Sequence, residues 1–383
     1  MKKIALSLSR EYVSHWGFWQ GVRELLQNAL DCEQHKVDLD YELKSLTITS
    51  EDGAIPVGKL LLGNSSKRED ETTIGCYGEG FKLALLVLCR MGVNIDICNG
   101  QDKWYPEITY SSEFKEECLH INIKEGVLTE DFKDKVIFKL SNITEEQMDI
   151  IQDKYLPLSK PDVLFEWEGS YGFYKDEGDP CRVFVKGLYV CDMEEGDWKY
   201  SYNFAPDRLE LDRDRSMVHN WDIQREVARI LVMTGNTIIL ATLADEGVMD
   251  VNGYTENTHY YNTWKDSTDF KKELETQAVA DFYKRHGHDS HPVDRGWGSS
   301  KKRLIINKLI SIGKVPVEVS STQYAMFNGS MQLDLDLDNV LEFKPLKFLT
   351  EFLEKNKRHM RSKPIKHLQR IIKDLSIMQG VDK

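Results

Sequence analysis

The residues best suited to chemistry lie in the first ninety positions, on a helix-like segment and on a glycine-rich turn. Glu24, Asn28 and Asp31 stand four and three residues apart in a segment whose other side chains are largely apolar. On an α-helix this spacing places them on one face. Burying such groups costs about 1–3 kcal/mol each unless a partner satisfies them, and a metal ion with its water would be such a partner. The alternative is an ordinary amphipathic helix whose polar face meets solvent.

The second segment carries three glycines at GxxGxG spacing, Gly75, Gly78 and Gly80, followed by an apolar stretch over residues 81–88 that is predicted to be helical. Glycine lets the backbone approach phosphate closely, and the exposed N–H groups at the start of a helix attract anions. Lys82 would add a mobile positive charge. Alone, such glycine spacing is more often a plain turn. Together and in this order, the two segments favour a Mg-ATP site.

The first segment also carries a family resemblance. Glu24, Asn28, Ala29 and Asp31 match the ExxxNAxD box of the GHKL ATPases, the superfamily of gyrase B, Hsp90, histidine kinases and MutL. Between the two segments, residues 49–57 are similar to the adenine-binding turn of the gyrase type. The order and spacing of these boxes agree with the superfamily over about the first ninety residues.

Two further segments resemble particular branches of that superfamily. Residues 63–67 are similar to the serine-lysine lid of the MutL and MORC branches, and residues 78–82 also resemble theirs. The overall pattern resembles ATP-binding proteins encoded by phages and prophages as well. A histidine kinase would need a phosphoacceptor helix before the first box, and only residues 1–23 precede it. The resemblance therefore points to the chaperone, mismatch-repair or MORC-like branches.

The adenine turn departs from the family pattern. It is one residue short of DxGxG, with Ala54 where a second glycine and its neighbour would fit. Anchored on Gly53, the acid that would bind the adenine amino group is Glu51, whereas a gap placed elsewhere makes it Asp52. A carboxylate one methylene longer would weaken the selection of adenine, so both alignments stay open.

The resemblance implies a role for each matched residue. Glu24 would be the general base that orients the attacking water, Asn28 would ligate a Mg²⁺ ion bridging the phosphates, and Asp31 would support the adenine end of the pocket. The residues implied around the phosphates are Gly75, Gly78 and Gly80, with Ser65, Ser66 and Lys67 in a closing lid and Lys82 steadying the phosphates. Catalysis of this kind depends mainly on positioning and charge stabilisation.

The middle of the chain has the composition of a small sheet. Aromatic and β-branched residues, bounded by glycine and aspartate, are typical of strands and hairpins. The predicted strands are residues 165–167, 182–186, 187–191 and 200–204, and residues 222–244 are predicted to form one long helix. The resulting α/β layer resembles the ribosomal S5-like transducer domain that follows the ATP module in gyrase, MutL and Hsp90.

In those relatives the second domain sends one basic side chain to the γ-phosphate. Arg213 falls on the arginine of the Hsp90-type loop, and Lys186 competes with it by analogy with the lysine of gyrase and MutL. The alternative is that residues 212–215 form a surface ion-pair ladder, in which each pair contributes at most about 1 kcal/mol.

The last third of the chain predicts a mainly helical region. Helices are expected over residues 270–286 and 301–312, a strand over 315–319 and an edge strand over 332–338. The histidines of the turn at 286–291 lack a clear fourth ligand, which favours an exposed loop over a metal site. Ten lysines and arginines crowd residues 344–373; a solvated helix face is the main interpretation, and partner docking is the alternative.

Composition limits the classes of function. The formal net charge of −13 opposes nonspecific binding to nucleic acid, so DNA is a disfavoured partner that would need a local basic patch. No apolar run reaches the roughly 20 residues of a membrane span, and the amino terminus does not resemble a signal peptide. Seven cysteines without CxxC spacing indicate reduced thiols rather than a disulfide framework. The expected location is the cytoplasm.

The combined prediction is an α/β protein with three parts. A Bergerat-type α/β sandwich over residues 1–150 would bind ATP, a second α/β domain over 151–248 would complete the site, and a mainly helical region would span 249–383. The predicted function is Mg²⁺-dependent ATP binding and slow hydrolysis that switches the protein's conformation for an unknown protein or DNA partner. ATP-dependent homodimerisation is a further implication of the resemblance. A binding module that is stabilised by nucleotide, does not hydrolyse it and occludes a partner protein is the alternative.

Overall fold

The computed structural model describes residues 1–60, 80–175, 178–193, 196–211, 218–252, 268–327, 331, 345–360 and 362–378. The chain divides into two compact units. The first comprises residues 1–236 and 248–266, and the second comprises residues 237–247 and 267–383. The predicted boundaries at 150 and 248 stay predictions.

In the described part of the first unit, the larger sheet has seven strands, and each pairs with its neighbours in antiparallel fashion. Their order across the sheet is β1-β6-β5-β4-β7-β3-β2. The strands are β1 (Lys2–Ser9), β2 (His35–Asp40), β3 (Ser45–Ser50), β4 (Asn94–Asn99), β5 (Asp102–Ser111), β6 (Glu116–Lys124) and β7 (Val136–Ser141). Alternating buried and exposed positions along β4 and β7 show that one face of this sheet meets the core.

Helices α1 (Phe18–Leu30) and α2 (Gly80–Arg90) share the core with this sheet. Residues 82–88 of α2 are all buried, so the predicted helix over 81–88 is confirmed. The two helices pack closely because Gly21 has no side chain; a Cβ there would lie 3.0 Å from Leu88. Helix α3 (Glu145–Lys154) begins at a capping box made by Thr144 and Gln147 and is followed by the short α4 (Leu156–Ser159).

A five-stranded sheet also belongs to the first unit, as far as it is described. Its strands lie in the order β11-β10-β12-β9-β8, and β10 and β12 run parallel. They are β8 (Val163–Trp167), β9 (Ser170–Tyr174), β10 (Arg182–Val185), β11 (Leu188–Asp192) and β12 (Tyr200–Phe204). Buried aromatic rings fill one face; those of Phe165 and Tyr200, for example, meet edge to face at 5.6 Å. The four predicted strands are confirmed to within two residues.

The prediction of one helix over residues 222–244 is wrong. Helix α5 (Asn220–Met233) ends at a short break, and α6 (Thr237–Glu246) begins after it, in the second unit. The Oγ1 atom of Thr234 donates to the Leu231 carbonyl at 2.8 Å, and Gly235 takes a φ of 67°. A glycine in the left-handed conformation is a common helix terminator, and the apolar periodicity that continues across it conceals the break.

In its described part, the second unit is mainly helical, with a two-stranded parallel sheet of β13 (Ser290–Asp294) and β14 (Val315–Val319). Its other helices are α7 (Thr268–His286), α8 (Ser299–Ser311), α9 (Ser321–Met326), α10 (Pro345–Asn356) and α11 (Ser362–Met378). The predicted strand over 315–319 and both predicted helices are confirmed. The predicted edge strand over 332–338 lies outside the described residues. Among the helices described, none has the length and apolarity needed to cross a bilayer.

The class of the protein is therefore confirmed as mixed α/β, with largely antiparallel sheets.

The predicted turn with three exposed histidines is only partly right. His286 and His288 are exposed, but His291 lies on β13 and is 8% exposed. The parallel pairing of β13 with β14 places it in the interior. Within the described residues, no group of three or more His, Cys, Asp or Glu side chains is placed to hold a metal ion.

Candidate functional site

Helix α1 is buried except along one stripe. Gln20, Glu24 and Asn28 are partly exposed, and every other residue of the helix is buried. These three positions are four residues apart, so they follow one line along the helix. The sequence prediction that Glu24 and Asn28 project together is confirmed by this pattern.

The carboxylate of Glu24 lies at the start of α2. Its side chain is 15% exposed, and its Oε1 atom pairs with the buried guanidinium of Arg23 at 3.2 Å. Its Oε2 atom fills the space where a Cβ on Gly80 would stand, only 2.2 Å from that ideal position. The first N–H groups of a helix have no partner within the helix and carry partial positive charge. Glu24 and Gly80, two predicted site residues, are therefore brought together where an anion would be favoured.

Asn28 lies one turn after Glu24 on the same stripe. Its Nδ2 atom donates to the backbone carbonyl of Glu24 at 2.8 Å. That hydrogen bond fixes the orientation of the amide, in which the Nδ2 group and not the Oδ1 atom is bonded to the helix backbone. Amide and carboxylate oxygens are the ligands that Mg²⁺ prefers, usually one or two from the protein with phosphates and water. The donor set of the stripe therefore fits a Mg²⁺-phosphate group.

Asp31 does not belong to this stripe. It caps the carboxyl end of α1, its side chain is fully buried, and it pairs with the Nζ atom of Lys186 at 3.4 Å. The two predicted site residues Asp31 and Lys186 are thus in contact with each other. Asp31 continues a second polar line with Arg23 and Gln27, again at four-residue spacing.

Sequence reasoning missed Arg23 and Gln27, which are 4% and 3% exposed. They line a narrow gap together with Val185, Leu188 and Tyr189 of the β10–β11 hairpin. Their four-residue spacing inside an apolar segment was the available signal, since polar side chains on a buried face need partners. The segment therefore holds two polar lines, one open and one covered by the five-stranded sheet.

Lys186 stands in the tight turn between β10 and β11. It and Gly187 take φ values of 51° and 80°, the pattern of a type I′ hairpin turn. Its N–H donates to the Phe204 carbonyl at 2.9 Å, and the Gly187 N–H donates to Oδ1 of Asn203 at 2.6 Å. These hydrogen bonds hold a lysine in the left-handed conformation that only glycine adopts freely.

The proposed adenine turn is anchored to the large sheet. The Oδ1 atom of Asn99 accepts from the Ile55 N–H at 2.6 Å, and its Nδ2 atom donates to the Ile55 carbonyl at 2.9 Å. Glu51 pairs with Lys135 at 3.0 Å, and Asp52 is exposed and makes none of the ion pairs recorded for the described residues. Both competing acids are therefore exposed, and they differ in that Glu51 is held in an ion pair.

Gly53, next in this turn, takes a φ of 91° and donates its N–H to the Asp134 carbonyl at 3.0 Å. A left-handed φ of this kind favours glycine, so the residue type is required by the bend. Among the described residues, no hydrogen bond or ion pair links this turn to Glu24 or Asn28.

Lys82 is held in the interior by a backbone carbonyl. Its side chain is fully buried, and the Nζ atom donates to the Lys59 carbonyl at 3.1 Å. Its predicted role at the phosphates stays a prediction. The other predicted site residues, Ser65, Ser66, Lys67, Gly75, Gly78 and Arg213, lie outside the described residues.

Comparison of the sequence with protein-family models and with curated protein sequences gives no match. Among solved structures, the fold is similar to the ATPase region of Saccharomyces cerevisiae topoisomerase II, both bound to ICRF-187 and in a second structure. The TM-scores are 0.30 and 0.29 and the identities 11% and 12%. Each match covers 45% of this chain and 62% of the yeast chain, so the similarity spans less than two thirds of that ATPase region. At these scores the similarity carries no argument about function.

Proposed function

We propose that the first unit binds ATP with Mg²⁺ at the open stripe of α1 and hydrolyses it slowly, as a GHKL-type ATPase. The observation that carries this proposal is the position of Glu24, whose carboxylate lies against Gly80 at the start of α2. The glycine leaves room there for the carboxylate of Glu24, which would orient a water bound beside it. The matched residues of the two sequence boxes support the assignment.

In this proposal Asn28 would hold Mg²⁺ through its amide oxygen, and the ion would supply charge neutralisation on the phosphates. Glu24 orients the attacking water and accepts its proton. Arg23 holds one carboxylate oxygen at 3.2 Å, which leaves the other toward α2. Gly75, Gly78 and Gly80 would surround the phosphates, and Asp52 or Glu51 would contact the base.

The test is ATP binding and phosphate release by wild type, Glu24→Gln and Asn28→Ala, with and without Mg²⁺. Glu24→Gln should keep ATP binding within about threefold and lose turnover by at least about 100-fold, as expected when a positioned general base is removed. Asn28→Ala should abolish the dependence of binding on Mg²⁺. Glu33→Gln, an exposed carboxylate just beyond α1, is the matched control and should leave both properties unchanged.

One contact favours the second candidate, a nucleotide-stabilised binding module without turnover. The guanidinium of Arg23 holds Oε1 of Glu24 at 3.2 Å, which favours a structural use of this carboxylate. Binding without phosphate release in wild type would support this candidate, and absence of ATP binding would contradict both.

The biological role that follows is an ATP-gated switch on a protein partner, with DNA disfavoured by the overall charge. ATP binding would change the pairing of the protein with itself or a partner. Mass measurement with a nonhydrolysable nucleotide tests the homodimer; an unchanged monomer would contradict it.

A further inference from the structure

The contact between Lys186 and Asp31 joins the five-stranded sheet to the helix that carries Glu24 and Asn28. Asp31 caps the carboxyl end of α1, where a helix already presents partial negative charge. A buried carboxylate at that end is unfavourable unless a cation compensates it. Lys186, 3.4 Å away, supplies that charge from another part of the fold.

The turn that carries Lys186 has little freedom. Both of its central residues are left-handed, and the turn is fixed by the Phe204 carbonyl, by Asn203, and by Leu156, whose N–H donates to the Gly187 carbonyl at 2.9 Å. From this fixed turn the side chain of Lys186 extends to the end of α1, where its Nζ atom contacts Asp31. It is 30% exposed, whereas Asp31 is not exposed at all.

The rest of the second polar line lies against the same hairpin. Arg23 and Gln27 face Val185, Leu188 and Tyr189 across a narrow gap. Arg23 pairs in turn with Glu24 at 3.2 Å. A displacement of the β10–β11 hairpin would thus change the position of Glu24 in two ways, by moving the end of α1 and by moving Arg23.

We infer that the Lys186–Asp31 pair is a positioning contact, by which the five-stranded sheet fixes the height and rotation of α1 and so the placement of Glu24 and Asn28. Lys186 acts on the reaction through Asp31 and not by contact with the nucleotide. The inference rests on the proposed ATPase function for its kinetic consequence. Its structural content, that the sheet holds the end of α1 through this pair, stands apart from that function.

The experiment is a double-mutant cycle on the full chain with Lys186→Met, Asp31→Asn and the double variant, assayed with Mg-ATP. Each single variant should lower kcat about tenfold and leave KM for ATP within twofold, and the double variant should be no slower than the slower single. Lys186→Arg, which keeps the charge, should retain at least half of the wild-type kcat. Lys175→Met, just after β9, and Asp131→Asn, on the surface, are matched controls.

A second readout needs no nucleotide. Amide hydrogen exchange over residues 27–31 should speed up in both single variants and no further in the double variant, because both remove the same contact. Failure of wild type to hydrolyse ATP would contradict the proposed function, and exchange would still decide the positioning role. The inference is overturned if the two kinetic losses multiply, if Lys186→Met raises KM instead of lowering kcat, or if exchange at the end of α1 does not change.

Discussion

On two helices of the first unit a glutamate lies beside arginine, and the two glutamates have different surroundings. On α5, Glu226 is 4% exposed, and its two oxygens pair with Arg225 and Arg229 at 3.4 Å each. On α1, Glu24 gives one oxygen to Arg23 and directs the other against the first residue of α2. A carboxylate with both oxygens held by arginines is compensated and fixed. A carboxylate with one oxygen held is oriented and still has an atom for chemistry.

The surroundings of the two glutamates explain the difference. Arg229 stacks 5.0 Å over the ring of Trp167, so its charge stays with the aromatic core of the five-stranded sheet. Glu24 instead faces Gly80, where a missing side chain leaves room beside a helix start. We infer that a charged side chain inside a fold indicates a functional site only when one of its polar atoms is left without a protein partner and is accessible to a ligand.

Gly80→Ala should have the largest effect, because it removes the space that distinguishes the surroundings of Glu24 from those of Glu226. The new Cβ would lie 2.2 Å from Oε2 of Glu24, the end of a side chain that can swing away, so we expect the fold to persist and the carboxylate to be displaced. Phosphate release should fall about 100-fold, the scale on which losing one positioned group acts. Gly58→Ala, with nothing within 4 Å of its Cβ, is the control. Full activity in Gly80→Ala would show that Glu24 does not work from this position.

The same comparison predicts opposite effects on stability and activity for the two glutamates. Glu226→Gln should lower the free energy of unfolding by about 2 kcal/mol, because two arginines lose their shared partner, and should leave phosphate release intact. Glu24→Gln should cost less than about 1 kcal/mol, since glutamine still accepts from Arg23, and should abolish release. Urea unfolding followed by fluorescence measures both. Equal losses of stability would show that Glu24 is as structural as Glu226.

The sequence located Glu24 because a carboxylate and an amide at four-residue spacing interrupt an apolar helix. It grouped Asp31 with them, since positions 24, 28 and 31 and positions 23, 27 and 31 are both helical lines. Only the placement of the β10–β11 hairpin decides between them. Four of the five strands described in the second sheet were predicted from composition, and β9 was not. The burial of His291 was not predictable either, because it depends on pairing with β14.

Asp250 is another buried carboxylate, and it predicts a dependence of stability on pH. Asp250 is fully buried and accepts hydrogen bonds from the Tyr202 hydroxyl and the Lys199 N–H, yet its burial raises the pKa above the usual value of 3.8. The folded state therefore holds this proton more tightly than the unfolded chain. Its contribution to stability is full below about pH 4 and is lost as pH rises through the higher folded pKa.

Unfolding by urea across that range tests the pH effect. Wild type should lose stability relative to Asp250→Asn as pH rises above about 4, because asparagine does not titrate. The comparison uses the slope with pH and not the absolute stability, since asparagine also alters the hydrogen bond to Lys199. Parallel profiles for the two proteins would mean that the Asp250 carboxyl has an ordinary pKa.

The smallest effect on activity is expected for Lys82, a buried cation that extends the comparison of the two glutamates. It follows Gly80 by two residues, which suggested a phosphate contact, but its Nζ atom donates to the Lys59 carbonyl and its side chain is fully buried. If burial indicates structure here as it does for Glu226, Lys82→Met should change ATP affinity less than threefold while lowering stability by about 1 kcal/mol, the usual size of a lost hydrogen bond. Titration with ATP and urea unfolding of the same variant measure both. A tenfold loss of ATP affinity at an unchanged free energy of unfolding would instead show that Lys82 leaves the Lys59 carbonyl and contacts the phosphates. Burial of a side chain would then not exclude a role in binding ATP.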